Sequence, residues 1–218
     1  MDWWTYTLVD MTPSEVVTVT TPAYPSPTDV VATAVDWNEI RVAWTDRSDD
    51  EMGFRVEYRA QGEAEWRDGT QSWQSPATIF GNLDGVEAGT TYEVRVVPLL
   101  MDWWTYTLVD MTPSEVVTVT TPAYPSPTDV VAVAVDSDEL QVSWTDRSDD
   151  EMGFRIEVRA EGEAEWTWAT QSWQSPAGVY GLEAGTTYEV RVVPLVLDFW
   201  TYTYIAMPPS EVVLVTTP

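Results

Sequence analysis

Residues 39–45 read Glu39-Ile40-Arg41-Val42-Ala43-Trp44-Thr45. Ile40, Val42 and Trp44 share one face at a period of two, and Arg41 and Thr45 share the other. That is the pattern of a half-buried strand; a helix would bring apolar residues back at intervals of three and four. The alternation returns at 53–59, where Phe54, Val56 and Tyr58 interleave with Arg55, Glu57 and Arg59. It returns again at 91–97, where Tyr92, Val94 and Val96 interleave with Glu93 and Arg95. Further along the chain stand Leu140, Val142 and Trp144, then Phe154, Ile156 and Val158, then Tyr188, Val190 and Val192. Short alternating strands separated by turn residues predict an all-β sandwich, formed twice.

The recurrence is an internal repeat. Residues 1–32 reappear unchanged at 101–132, and 44–55 at 144–155. The period is 100 until Ala77 and Ala177, after which the second copy is four residues shorter. Residues 197–218 are a diverged third copy of 1–22. Boundaries fall at the junctions Pro22-Ala23-Tyr24-Pro25-Ser26-Pro27 and Pro122-Ala123-Tyr124-Pro125-Ser126-Pro127, whose proline density makes them stiff and extended. Modules therefore span 23–122 and 123–218, with 1–22 left over.

Composition limits the chemistry. The chain of 218 residues has 36 acidic residues against ten basic ones, all arginine, for a net charge of -26. Such a charge repels nucleic acid and anionic lipid, so neither a nucleic-acid partner nor membrane insertion is expected. Acid-rich, lysine-free composition resembles proteins of salt-loving archaea, where molar salt cuts the screening length to ~3 Å. Absence of Cys, His and Lys removes thiolate and histidine metal sites, Ser-His-Asp triads, Schiff bases and the P-loop. With 36 acids, pairs of carboxylates arise by chance and do not mark a glycosidase. No catalytic residue and no cofactor are expected.

Each module resembles a fibronectin type III domain. Pro27-Thr28-Asp29-Val30 is similar to the entry into that family's strand A, and Ile40-x-Val42-x-Trp44 to strand B with its core tryptophan. Asp46 to Phe54 resembles the acidic B–C turn of microbial members, and Val86-Glu87-Ala88-Gly89-Thr90-Thr91-Tyr92 the turn before strand F with its corner tyrosine. Ser114 to Pro122 resembles strand G. Trp144, Leu182 to Tyr188 and Ser210 to Pro218 match in the second module. The resemblance implies that Trp44 and Trp144 fill two sandwich cores, and that Tyr92 and Tyr188 bond to backbone a few residues upstream. It implies a short F–G loop; the chain instead places the β-prone, aromatic Pro98 to Pro113 there, which predicts an F–G hairpin extended beyond the sandwich.

Three candidate sites follow. Asp46, Asp49, Asp50 and Glu51, with Asp146, Asp149, Asp150 and Glu151, are a weak calcium candidate whose spacing does not fit an EF-hand; a solvated turn paired to arginine is the plainer expectation. Trp3, Trp4 and Tyr6, Trp103, Trp104 and Tyr106, and Phe199, Trp200 and Tyr202 crowd the hairpin tips. These rings are expected to pack on the next module or across their own hairpin, the alternative being a carbohydrate or protein ligand. Residues 1–22 supply an outer F–G hairpin and strand G without the strands that precede them, and so predict strand addition or exchange with another copy. The expected role is a non-catalytic structural or adhesive repeat protein of the cell surface or extracellular space, a self-associating fibre subunit or a binding spacer. Met1-Asp2-Trp3-Trp4 lacks the basic stretch of a secretory signal.

Overall fold

The alternating segments pair into two sandwiches in the computed structural model, which describes residues 14–81, 85–198 and 201–218. In the first module β1 (Thr28–Asp36), β2 (Glu39–Thr45) and β5 (Ala77–Phe80) form an antiparallel sheet in the order β1-β2-β5. The facing sheet contains β3 (Phe54–Ala60), β4 (Arg67–Ser72), β6 (Thr91–Asp102), β7 (Thr107–Asp110) and β8 (Val117–Thr120). Its order is β4-β3-β6, and β6 then pairs with both β7 and β8. The second module repeats the plan. Strands β9 (Thr128–Asp136), β10 (Glu139–Thr145) and β13 (Ala177–Tyr180) form one sheet; β11 (Phe154–Ala160), β12 (Thr167–Ser172), β14 (Thr187–Asp198), β15 (Thr203–Ala206) and β16 (Val213–Thr216) form the other.

The inward faces are those the alternation marks. Ile40, Val42 and Trp44 from β2 meet Phe54, Val56 and Tyr58 from β3 and Tyr92, Val94 and Val96 from β6 in one buried cluster. An equivalent, separate cluster surrounds Trp144. The Trp44 indole lies against the Phe54 ring at 5.2 Å between centroids, and Trp144 against Phe154 at 5.1 Å. Each corner tyrosine accepts a hydrogen bond at its hydroxyl oxygen: from the Glu87 N–H at 2.7 Å to Tyr92, and from the Glu183 N–H at 2.9 Å to Tyr188. The last threonine of each module closes the same corner. The Thr121 hydroxyl donates to the Glu87 carbonyl at 2.6 Å and its Oγ1 accepts from the Thr90 N–H at 3.0 Å; Thr217 does the same with Glu183 and Thr186.

The long sixth strand explains the extended hairpin. Thr91 to Val94 of β6 pair with β8, and Leu99 to Asp102 pair with β7. One strand thus serves two successive partners, and the chain bends between them where Ser114 accepts from the Val96 N–H at 2.9 Å. Leu99 is buried at the base of the hairpin, whereas all of β7 is exposed.

Residues 14–22 have the sequence of 114–122, yet no strand is assigned among them and they are exposed. The physical reason is pairing: β8 lies against β6, and among the described residues no strand lies against 14–22. Residues 1–13 lie outside the described residues.

Candidate functional site

The acidic turns are built around a linker tyrosine. Tyr24 donates to Ser48 Oγ at 2.8 Å, with Asp50 Oδ1 at 3.0 Å and Glu51 Oε2 at 3.3 Å. The Ser48 hydroxyl in turn donates to Glu51, and its N–H to Asp46 Oδ1 at 3.1 Å. Burial and the neighbouring carboxylates push the Tyr24 phenol up to about 12. Tyr124, Ser148, Asp146, Asp150 and Glu151 repeat the arrangement. Asp49 and Asp149 take no part in these contacts. Among the described residues no three acids converge as a metal would require, so the structure does not bring the calcium candidates together. Arg47 and Arg147 reach out of the turns to Asp29 at 3.2 Å and Asp129 at 3.3 Å.

At the module junction this turn receives a side chain from its neighbour. Trp37, in the turn between β1 and β2, donates its indole N–H to Asp150 Oδ2 at 2.7 Å. Its ring stands edge-on to Tyr124 at 5.2 Å between centroids. Tyr124 is consequently buried at 3 % exposure. Beside the clasp lies an apolar cleft of ≈ 450 Å³, walled by Val86 and Ala88 of the first module and Val196, Leu197, Ile205 and Met207 of the second.

Burial first, and then the Asp150 and Glu151 charges, push the Tyr124 phenol above its ordinary 10.0. The neutral phenol therefore contributes stability that is complete below pH 10, the unfolded value, and is lost as pH rises toward the higher folded value. Urea unfolding of the full chain at pH 8 and pH 11 should show weaker stability at the higher pH, with a smaller loss in a Tyr124→Phe variant. An unchanged pH dependence in that variant would refute the assignment.

A second constellation was not foreseen from sequence. On the outer face of the β3–β6 sheet, Glu57 is buried between two arginines, accepting from Arg55 Nη2 at 2.8 Å and Arg95 Nε at 2.6 Å. The Trp66 ring takes the guanidinium of Arg95 at 4.2 Å and that of Arg59 at 4.4 Å from its centroid, and Arg59 pairs with Glu93 at 2.6 Å. Arg55 also reaches Asp68 at 3.1 Å and pairs with Asp110 of β7, tying the hairpin to the sheet. The second module keeps Glu189, Arg159, Trp166, Arg191, Glu157 and Arg155 in the same order. There Trp168 and Ala206 stand in place of Asp68 and Asp110, and Arg155 Nε is buried without a hydrogen-bond partner. The signal available in sequence was the charge alternation of β3 against β6, but pairing it requires the register Glu57↔Arg95.

The described rings at the hairpin tips face solvent. Trp103, Trp104 and Tyr106 are exposed, Trp104 at 93 %, and Tyr202 is exposed in the second module. Within one chain the described rings are largely uncovered by the next module or by their own hairpin. Trp3, Trp4, Tyr6, Phe199 and Trp200 lie outside the described residues. Asp102 accepts the Trp104 N–H at 2.8 Å, which with Thr105 holds its carboxyl below the usual range. The turn sets Tyr106 at φ 56° and Tyr202 at φ 53°, a left-handed conformation that bulky side chains seldom adopt.

The family model of the fibronectin type III domain matches the chain twice, at residues 25–100 and 125–197. No curated protein matches it. Among solved structures it is similar to a two-fibronectin type-III domain segment from chicken tenascin, at 14 % identity and a TM-score of 0.45, covering 88 % of this chain and 100 % of that one. It is also similar to the FN1–FN3 domains of chicken CNTN1, at 20 % identity and a TM-score of 0.37, covering 90 % and 68 %. Both family matches stop inside β6 and β14, where the chain departs into its extended hairpins and the family pattern no longer applies. Running from the linker prolines through six strands in each copy, they leave no doubt that the chain belongs to the fibronectin type III family, as two tandem domains.

Proposed function

We propose that this chain is a non-catalytic structural and adhesive repeat protein of the cell surface or extracellular space, whose copies link into a fibre through the N-terminal segment. One observation carries the reading. Val16, Val17 and Val19 are 95 %, 81 % and 80 % exposed, although the identical segment at 114–122 forms a paired strand. Three segments, 14–22, 114–122 and 210–218, have the strand-G sequence, while two strands, β6 and β14, receive it. Exchange between copies conserves the number of paired strands and gains little. Addition of 14–20 to an open sheet edge of a neighbour creates new pairs and is the favoured link. A head-to-tail contact of this kind builds an open filament unless its rotation closes.

Other features agree with that role. The family is commonly extracellular and typically non-catalytic, and the chain lacks the side chains most enzymes use. Among the described residues no helix is long and apolar enough to cross a membrane. A surface at net charge -26 suits high salt, where its self-repulsion is screened. Deleting residues 1–22 should abolish filaments seen by negative stain at high salt; filaments in undiminished number would refute the proposal.

The exposed tip favours a second reading, a spacer that binds a carbohydrate or protein through Trp103, Trp104 and Tyr106. A strained turn that presents solvent-facing rings is a cost that ligand contact would offset. Retention of the chain on immobilised polysaccharides, lost in Trp104→Ala, would support it; a full set of such columns without retention would weigh for the fibre.

A further inference from the structure

We propose that the leading pole of the first module is an open socket for the trailing pole of a fibronectin type III module that carries a tryptophan in its first hairpin turn. The chain contains this socket twice, and one is filled. In the filled copy, Asp150 uses its two carboxylate oxygens for different donors: Oδ1 for the Tyr124 hydroxyl at 3.0 Å and Oδ2 for the Trp37 indole at 2.7 Å. In the other copy Tyr24 occupies Asp50 Oδ1 at the same 3.0 Å, and Ser48 and Glu51 hold the same places. Every residue of the socket recurs, because 23–32 and 44–55 are repeated without change at 123–132 and 144–155. Among the described residues no indole stands over Tyr24 as Trp37 does over Tyr124: Tyr24 is half-buried and Tyr124 fully buried.

The plug does not recur. Ser137 and Asp138 stand where the first module has Trp37 and Asn38, and the second module lacks the four residues 81–84. Both differences fall on the pole of the first module that faces the second, since Trp37, Asn38 and Gly81 all line the cleft. Among the described residues there are thus two sockets and one plug, and the plug is in use. A second copy offers Ser137 at its trailing pole, so the occupant of the open socket is a module that bears the indole. Residues 14–22 run directly ahead of Tyr24, as 114–122 run ahead of Tyr124. A partner module that paired this segment with its own sixth strand, as β6 pairs with β8, would bring its trailing pole over the socket. The socket itself rests on the filled counterpart and not on the fibre reading.

The test gives the full chain a second plug. Ser137→Trp with Asp138→Asn, and Gly-Asn-Leu-Asp inserted after Tyr180, restores the trailing pole of the first module on the second. Sedimentation velocity over a concentration series should show this variant associating head to tail about tenfold more tightly than the native chain, as expected of a buried indole anchor. Adding Tyr24→Phe and Asp50→Asn should return it to the native level. Ser137→Trp alone should move association in the same direction by less, and it guards against misfolding of the insertion. Association no stronger than native in both plug variants would overturn the proposal, as would tighter association that survives the socket substitutions. Because the readout is the difference from the native chain, a native chain that forms no fibre leaves this result interpretable.

Discussion

Trp44→Ala is expected to destabilise the first module by about 3–5 kcal/mol, through the cavity left by the indole and the lost burial of its ring. Trp44 is 6 % exposed and rests on Phe54. Its Nε1 is buried without a hydrogen-bond partner, so truncation also relieves one unsatisfied donor and places the effect near the lower bound. For a module of this size that corresponds to a fall in melting temperature on the order of 15 °C. The two cores are separate clusters, each with its own tryptophan. Calorimetry of the full chain should therefore show the transition of one module displaced and the other nearly retained. A loss of about 1 kcal/mol or less would mean that the indole is not the centre of the core.

Glu57→Gln should have the next largest effect, about 2–3 kcal/mol, because it leaves Arg55 and Arg95 facing each other across a buried position without their shared counter-charge. The figure is set below that of a fully buried pair because the arginine side chains remain 17 % and 26 % exposed. Trp66, held against Arg95 and Arg59, should loosen at the same time. Denaturant unfolding followed by tryptophan fluorescence would read both. The exposed pair of Arg67 and Glu63 supplies the contrast: Glu63→Gln should change stability by no more than about 0.5 kcal/mol. Equal effects of the two substitutions would show that the ladder is ordinary surface charge.

The strands and their inward faces were legible because period-two alternation is a local property. Ile40, Val42 and Trp44 needed no knowledge of their partners to be placed inside. The corner tyrosines and the extended hairpin were legible for a related reason, since Gly89 to Tyr92 and Pro98 to Pro113 are continuous in sequence. What failed to show was non-local. Glu57 and Arg95 are 38 positions apart and meet only through the β3–β6 register. Trp37 and Asp150 are 113 apart and meet only across a junction. The exchange of Trp37 for Ser137 between otherwise similar copies was the one signal in sequence that the turn has a special duty in the first module. The acidic turns left two readings open because carboxylates read alike whether they gather round an ion or accept from a tyrosine and a serine. The segment 14–22 is the sharpest case. The same nine residues contain a strand, β8, at 114–122 and none at 14–22, so strand formation here is decided by the presence of a partner and not by propensity.

That dependence offers the most direct measurement. The chain has no cysteine, so Val19→Cys introduces a single thiol into the surplus segment. Its alkylation rate should be fast in dilute, unassembled protein and should fall about tenfold or more when the chains associate at high concentration, as the segment becomes a strand on a neighbouring copy. Alkylation that stays equally fast in fully associated material would contradict the account.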